Sequence, residues 1–117
     1  MSSGTWQVRL TSAAERDFQS ILTWTTEQFG EAQARDYAGT LSAVIHALTD
    51  GPEVLGSKVR DEIEPGLRIL HAARFGRRAR HLLLYRAGPD AVIDVLRILH
   101  DAMDIERHVS SGIVNSR

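Results

Sequence analysis

Between residues 12 and 50 the apolar side chains recur at the helical period, and between 67 and 99 they alternate or run on unbroken. This single change of period, at Gly66, confines the chain to a helical half followed by a strand-rich half. In the first half Ala14, Phe18, Ile21, Leu22 and Phe29, with Thr25, form one helical stripe, and Ala34, Tyr37, Ala38, Leu41, Ile45 and Leu48 form another. Ser12 and Glu15 read as a capping box at the start of the first stripe. Gly30 separates the two stripes as a helix-ending glycine, and Asp50-Gly51-Pro52 stops the second. So short a connection predicts an αα-hairpin with helices over about 12–30 and 31–50.

Ahead of the hairpin, Trp6, Val8 and Leu10 alternate with polar residues, predicting a half-buried strand over 5–10. Beyond Gly66, strands are predicted at 67–74, 79–87 and 91–99, joined by tight turns as an antiparallel meander. The last, Ala91–Leu99, is apolar at nearly every position, as a central strand covered on much of both faces would be. Residues 53–66 carry turn signals and mixed charge, which suggests a surface connection with one short helical turn. Residues 101–109 fit about two helical turns, and 110–117 read as a flexible polar tail. The expected fold class is α+β, in the order β-α-α-β-β-β: a helical hairpin packed on one face of a four-stranded antiparallel sheet. It is a single domain over 1–117 with its core at about 5–109.

Composition narrows the function classes. A chain of 117 residues with 43% hydrophobic and 25% charged residues has the ordinary globular balance and room for one core. Without cysteine there is no disulfide framework, thiolate metal cage or cysteine nucleophile, which suits a reducing compartment. Met1–Thr5 has neither the charge nor the apolar run of an export signal, and no stretch approaches the ~18 apolar residues of a membrane span. The expected location is the cytoplasm. Phosphate-binding loops, dinucleotide fingerprints and nucleophile elbows are missing from the sequence, which removes the standard nucleotide, dehydrogenase and hydrolase readings.

The net charge of −1 hides a strong segregation. Glu15 to Asp36 holds five acids and two bases, whereas Pro65 to Pro89 holds six arginines (68, 74, 77, 78, 80 and 86) and no acid. Arginines alternate with apolar residues in the first two meander strands, so some are expected on a shared sheet face opposite the helices or at strand ends, as a surface for an acidic partner. The same pattern also serves to keep strand edges soluble. His100, Asp104 and His108 have helical spacing, but a capping and packing role outweighs metal binding for them, and no metal or other cofactor is expected. Trp6 shares a face with Val8 and Leu10 and belongs to the core; Trp24 lies about 80° off its helical stripe and is expected partly exposed beside the core.

The order strand, helical hairpin, meander, with Pro65-Gly-Leu-Arg68, Arg80-His-Leu-Leu-Leu-Tyr-Arg86 and above all Val95-Leu-Arg-Ile-Leu-His-Asp-Ala-Met-Asp104, resembles the ParE branch of the RelE/ParE toxin superfamily. The resemblance runs over about residues 5–109. It implies the toxin of a type II toxin-antitoxin system, associated with plasmid stabilisation, that inhibits DNA gyrase by binding. Its implied partner is a ParD-like antitoxin with a ribbon-helix-helix DNA-binding half and an acidic half that folds on the toxin, giving a hetero-oligomer. On that reading Arg68, Arg74 and Arg80 are expected among the antitoxin's charge contacts, with Trp24 as an apolar anchor. The alternative within the superfamily is a RelE-like, metal-independent endonuclease that cuts mRNA on the ribosome, for which Arg80, His81, Tyr85 and His100 would supply acid, base and cation. The non-enzymatic reading is favoured, because Tyr37 and Tyr85 are the only tyrosines, neither lies near the C-terminus, and Lys58 is the only lysine. A nucleic-acid-binding or structural module is the third reading, and toxicity on expression would separate it from the other two.

Overall fold

A computed structural model describes residues 6–76, 78–103 and 105–108. The expected strand start at Thr5, the helical continuation to Val109, the tail 110–117, Arg77 and Asp104 lie outside the described residues, and so does the spacing built on His100, Asp104 and His108.

The elements are β1 (Gln7–Leu10), α1 (Ser12–Phe29), α2 (Glu31–Ala47), β2 (Lys58–Val59), β3 (Leu67–His71), β4 (His81–Gly88), β5 (Val92–His100) and α3 (Ile105–His108). They form two helices packed on a mixed sheet in the order β1-β5-β4-β3-β2. The α+β hairpin-on-sheet architecture is as expected, with two differences in the sheet. Its strands number five among the described residues, because Lys58–Val59 pairs with Ile69 and Arg68 inside the segment expected to be a connection. The sheet is also not wholly antiparallel: the meander β3-β4-β5 is, but β1 runs parallel to β5, with Val8 opposite Ile93 and Leu10 opposite Val95. Two antiparallel helices carry the chain from the end of β1 back to its start, where Trp6 donates to the Thr49 carbonyl and packs against Gly51. Three meander strands then leave β5 pointing the same way as β1.

Several boundaries move for local reasons. Thr11, not Ser12, is the N-cap of α1; its hydroxyl oxygen accepts from the Ala14 N–H at 3.1 Å, so the Ser12/Glu15 capping box does not form. The helix α2 tightens into a 3-10 turn at Leu48–Asp50, and β3 gives way to one at Ala72–Arg74. Gly30 joins the helices alone, at φ 95°, a conformation that L side chains rarely adopt.

The strand β5 lies inside the sheet between β1 and β4, as its unbroken apolar run required. A bulge between Leu84 and Tyr85 in the β4–β5 pairing leaves Leu96 unmatched. Tyr85, Ile93, Val95 and Ile98 thus face the helices with Leu41, Val44 and Leu48, whereas Leu82, Leu84, Leu96 and Leu99 cluster with Leu67 on the other face. That second face is closed by Ile63 and by Ile105 of α3. Leucine takes most of the face opposite the helices, because burial of each leucine there is worth roughly 1.5–3 kcal/mol, and Arg86 shares that face as the cross-strand partner of Leu67. No helix among the described residues is long and apolar enough to cross a membrane.

Candidate functional site

Three histidines meet at one end of the sheet: His71 ends β3, His81 begins β4 and His100 ends β5. His81 and His100 are direct cross-strand partners, their rings edge to face with centroids 5.3 Å apart. From above, α2 lowers Tyr37 onto the cluster. Its phenol oxygen accepts the Arg80 N–H at 3.0 Å and lies 2.7 Å from His81 Nδ1. Asp101, just past β5, receives His71 Nε2 at 3.0 Å, and its own N–H donates to the Arg80 carbonyl.

The hydrogen bonds settle which ring nitrogens can act. His71 Nδ1 accepts the Ala73 N–H at 2.9 Å and His100 Nδ1 accepts the Ala102 N–H at 3.0 Å, so each neutral ring carries its proton on Nε2. Burial raises the Tyr37 pKa and keeps the phenol protonated, and its oxygen accepts the Arg80 N–H while sharing a second hydrogen bond with His81 Nδ1. Burial, reinforced by the charge of His100, depresses His81 to about 4. Near neutral pH His81 is therefore neutral, with Nδ1 tied to the Tyr37 hydroxyl. Asp101 is held below the usual carboxylate range chiefly by the His71 hydrogen bond.

Of the residues named for an RNase, the structure brings Arg80, His81 and His100 together. Tyr85 is elsewhere: it is fully buried on the helix side and donates to the Pro52 carbonyl at 2.7 Å. The residues named for antitoxin contact are dispersed. Arg68 is half-buried, its guanidinium bonded to the Pro52 carbonyl and Ser57 Oγ, so it clamps the 52–57 loop onto the sheet. Arg74 is exposed, with its aliphatic stem across Gly56, where a Cβ would come within 2.1 Å of Arg74 Cδ. Arg80 is exposed beside the histidines, and Arg78 is exposed in the same turn. Arg74, Arg78 and Arg80 thus lie in the β3–β4 connection, while Arg86 lies within β4 beside Leu67 on the face opposite the helices, so both of the expected placements occur. Trp24 is 55% exposed on α1, which packs on β5 and β1, while Arg74 and Arg80 flank the β3–β4 turn beneath α2. Tyr37 and Asp101 were missed from sequence, since nothing in their spacing ties either to His81. No group of three or more His, Cys, Asp or Glu among the described residues is placed to hold a metal ion.

Comparison with known proteins agrees with this architecture. The family model of the ParE toxin of type II toxin-antitoxin system, parDE, matches residues 8–105. Toxin ParE1 of Mycobacterium tuberculosis (strain ATCC 25618 / H37Rv) is 33% identical over 100 residues, covering 86% of this chain and 94% of that protein. Toxin ParE1 of Caulobacter vibrioides (strain ATCC 19089 / CIP 103742 / CB 15) is 27% identical over 101 residues, covering 86% of this chain and 95% of that protein. Among solved structures, a chain of the chromosomal ParDE TA system from P. aeruginosa superposes with a TM-score of 0.68 at 18% identity, over 84% of this chain and 98% of that one, a likeness of fold. With a family match across all five strands and both long helices, the chain belongs to the ParE toxin family of type II toxin-antitoxin systems.

Proposed function

We propose that this ParE-family toxin acts in the cytoplasm by binding, with DNA gyrase as its target, and that a ParD-like acidic antitoxin neutralises it. The observation that carries the binding reading is the state of His81. A general acid must hold a proton it can give up near neutral pH, and a general base must present a free nitrogen. His81, with a pKa of about 4, holds no such proton near neutral pH and is only a weak base, and its Nδ1 is tied to the Tyr37 hydroxyl. His100 Nδ1 is likewise taken, by the Ala102 N–H, and Tyr85 is walled into the core. These features support a contact surface over the RelE-like mRNA endonuclease.

For the antitoxin, exposed Arg74 and Arg80 are the proposed charge contacts, while Arg68 contributes by holding the 52–57 loop in place. An acidic segment that folds on binding fits a cationic rim of this kind. The test is expression without antitoxin, followed by gyrase supercoiling and ribosome-dependent mRNA cleavage assays run side by side. Inhibited supercoiling with intact mRNA is the expected result. Cleaved mRNA that depends on His81 would overturn the reading.

A further inference from the structure

The hairpin corner is a second contact surface, and its chemistry is opposite to that of the arginines. The only buried residues in the last two turns of α1 and the first turn of α2 are Thr25 and Ala34. Both are small, so the helices close without aromatic side chains between them, and Trp24 and Phe29 are left outside. Trp24 is 55% and Phe29 61% exposed, their rings edge to face at a centroid distance of 5.8 Å. Exposed rings that hold each other in place form a rigid apolar knob, the kind of feature that anchors protein interfaces.

Charge says what the knob fits. No Lys, Arg or His occurs between Arg16 and Arg35, and of the three acids in that stretch Asp17 is consumed by Arg97. Glu27 and Glu31, both exposed, remain on either side of Phe29 in the chain. The corner also stands clear of the sheet: Tyr37, which touches His81 at the sheet's end, is six residues into α2 from Glu31, or about 9 Å of helix. An acidic antitoxin segment drawn to Arg74 and Arg80 would be repelled here, whereas a basic protein surface would be attracted.

We infer that the Trp24–Phe29 corner, flanked by Glu27 and Glu31, docks the toxin onto its cellular target, through a basic patch on that target with an apolar recess for the rings. The inference rests on the toxin reading above but not on gyrase being the target. The antitoxin is then held by one surface and the target by another.

The experiment compares full-length variants in two assays: growth arrest on expression without antitoxin, and affinity of the purified chain for its cognate antitoxin. The variants are Trp24→Ala/Phe29→Ala, Glu27→Gln/Glu31→Gln and Glu27→Lys/Glu31→Lys. Hot-spot losses predict that the aromatic pair and the lysine pair each need at least about 30-fold more expressed toxin for the same arrest, the glutamine pair less, with antitoxin affinity within about 3-fold of wild type. The lysine pair alters only exposed positions, so it decides the matter if removing the rings harms folding. Full toxicity of the lysine pair overturns the inference, as does loss of antitoxin affinity in a folded variant, which would place the corner in the antitoxin interface. A wild-type chain harmless to cells would overturn the toxin reading itself, and this inference with it.

Discussion

His81 illustrates how a residue's surroundings decide its chemistry. A histidine in a basic strand beside another histidine has the sequence context of an acid–base residue, yet burial and His100 depress it to about 4, and its Nδ1 is bonded to the Tyr37 hydroxyl. A depressed histidine is protonated first in the unfolded chain. Its contribution to stability is therefore complete above pH 6.5 and is lost as pH falls toward about 4. Urea midpoints measured at pH 7, 6, 5 and 4.5 should fall through this window, and His81→Asn, whose side-chain oxygen can still accept from Tyr37, should flatten the fall. Asp101, whose pKa is lowered below 3.8, adds its own loss only at still lower pH. NMR shifts of the ring nitrogens at pH 7 should report His81 as the Nε2–H tautomer; an Nδ1–H tautomer would reopen the endonuclease reading.

At the scale of elements, the junction of α1 with β5 carries the most specific polar contacts. Where β1 ends at Leu10, the β5 edge would be left unpaired. Thr11 donates through its N–H to the Val95 carbonyl and through its hydroxyl to the Leu96 carbonyl. Asp17 then continues the edge, accepting the Ile98 N–H at 2.9 Å while holding Arg97 in a bidentate pair at 2.7 and 2.9 Å. Removing a half-buried partner strands the other groups, so Asp17→Ala should cost about 2–4 kcal/mol in chemical denaturation. Asp17→Asn, which keeps an acceptor for Ile98, should cost less. The β4–β5 turn offers the opposite test. Asp90 and Ala91 both have positive φ, at 62° and 56°, and alanine is strained there. Ala91→Gly should raise stability by about 0.5–1 kcal/mol, read as a higher melting temperature with the fold unchanged.

Across the whole molecule, the near-zero net charge divides into an acidic hairpin corner and a cationic set of turns. Exposed charges act mainly on encounter. Arg74→Ala and Arg80→Ala should each slow association with the antitoxin several-fold at low salt, with the difference shrinking toward 0.5 M salt as screening takes over, measured by surface plasmon resonance. Arg68→Ala should behave differently. It frees the 52–57 loop, so its signature is lower thermal stability with weak salt dependence. A salt-independent association rate, unchanged by the first two substitutions, would reduce Arg74 and Arg80 to solubilising residues.

How much of this was legible in advance follows from the range over which each interaction acts. The helical hairpin, the meander, the interior place of β5 and the exposure of Trp24 were all readable from sequence, because periodicity and turn chemistry are properties of neighbouring residues. The motif around Val95–Asp104 likewise identified the family before any coordinate did. The parallel pairing of β1 was beyond such reading, since strand direction depends on where two helices return the chain, and so was β2, whose two residues show no period. The bulge at Leu96 moved Arg97, Ile98 and Leu99 relative to the alternation that sequence alone suggests. Tertiary structure alone decided the site: Tyr37 and His81 are 44 positions apart, His71 and Asp101 30 apart. Only packing brings them into hydrogen-bonding range, and burial at that contact then determines which nitrogens of the cluster remain free to act.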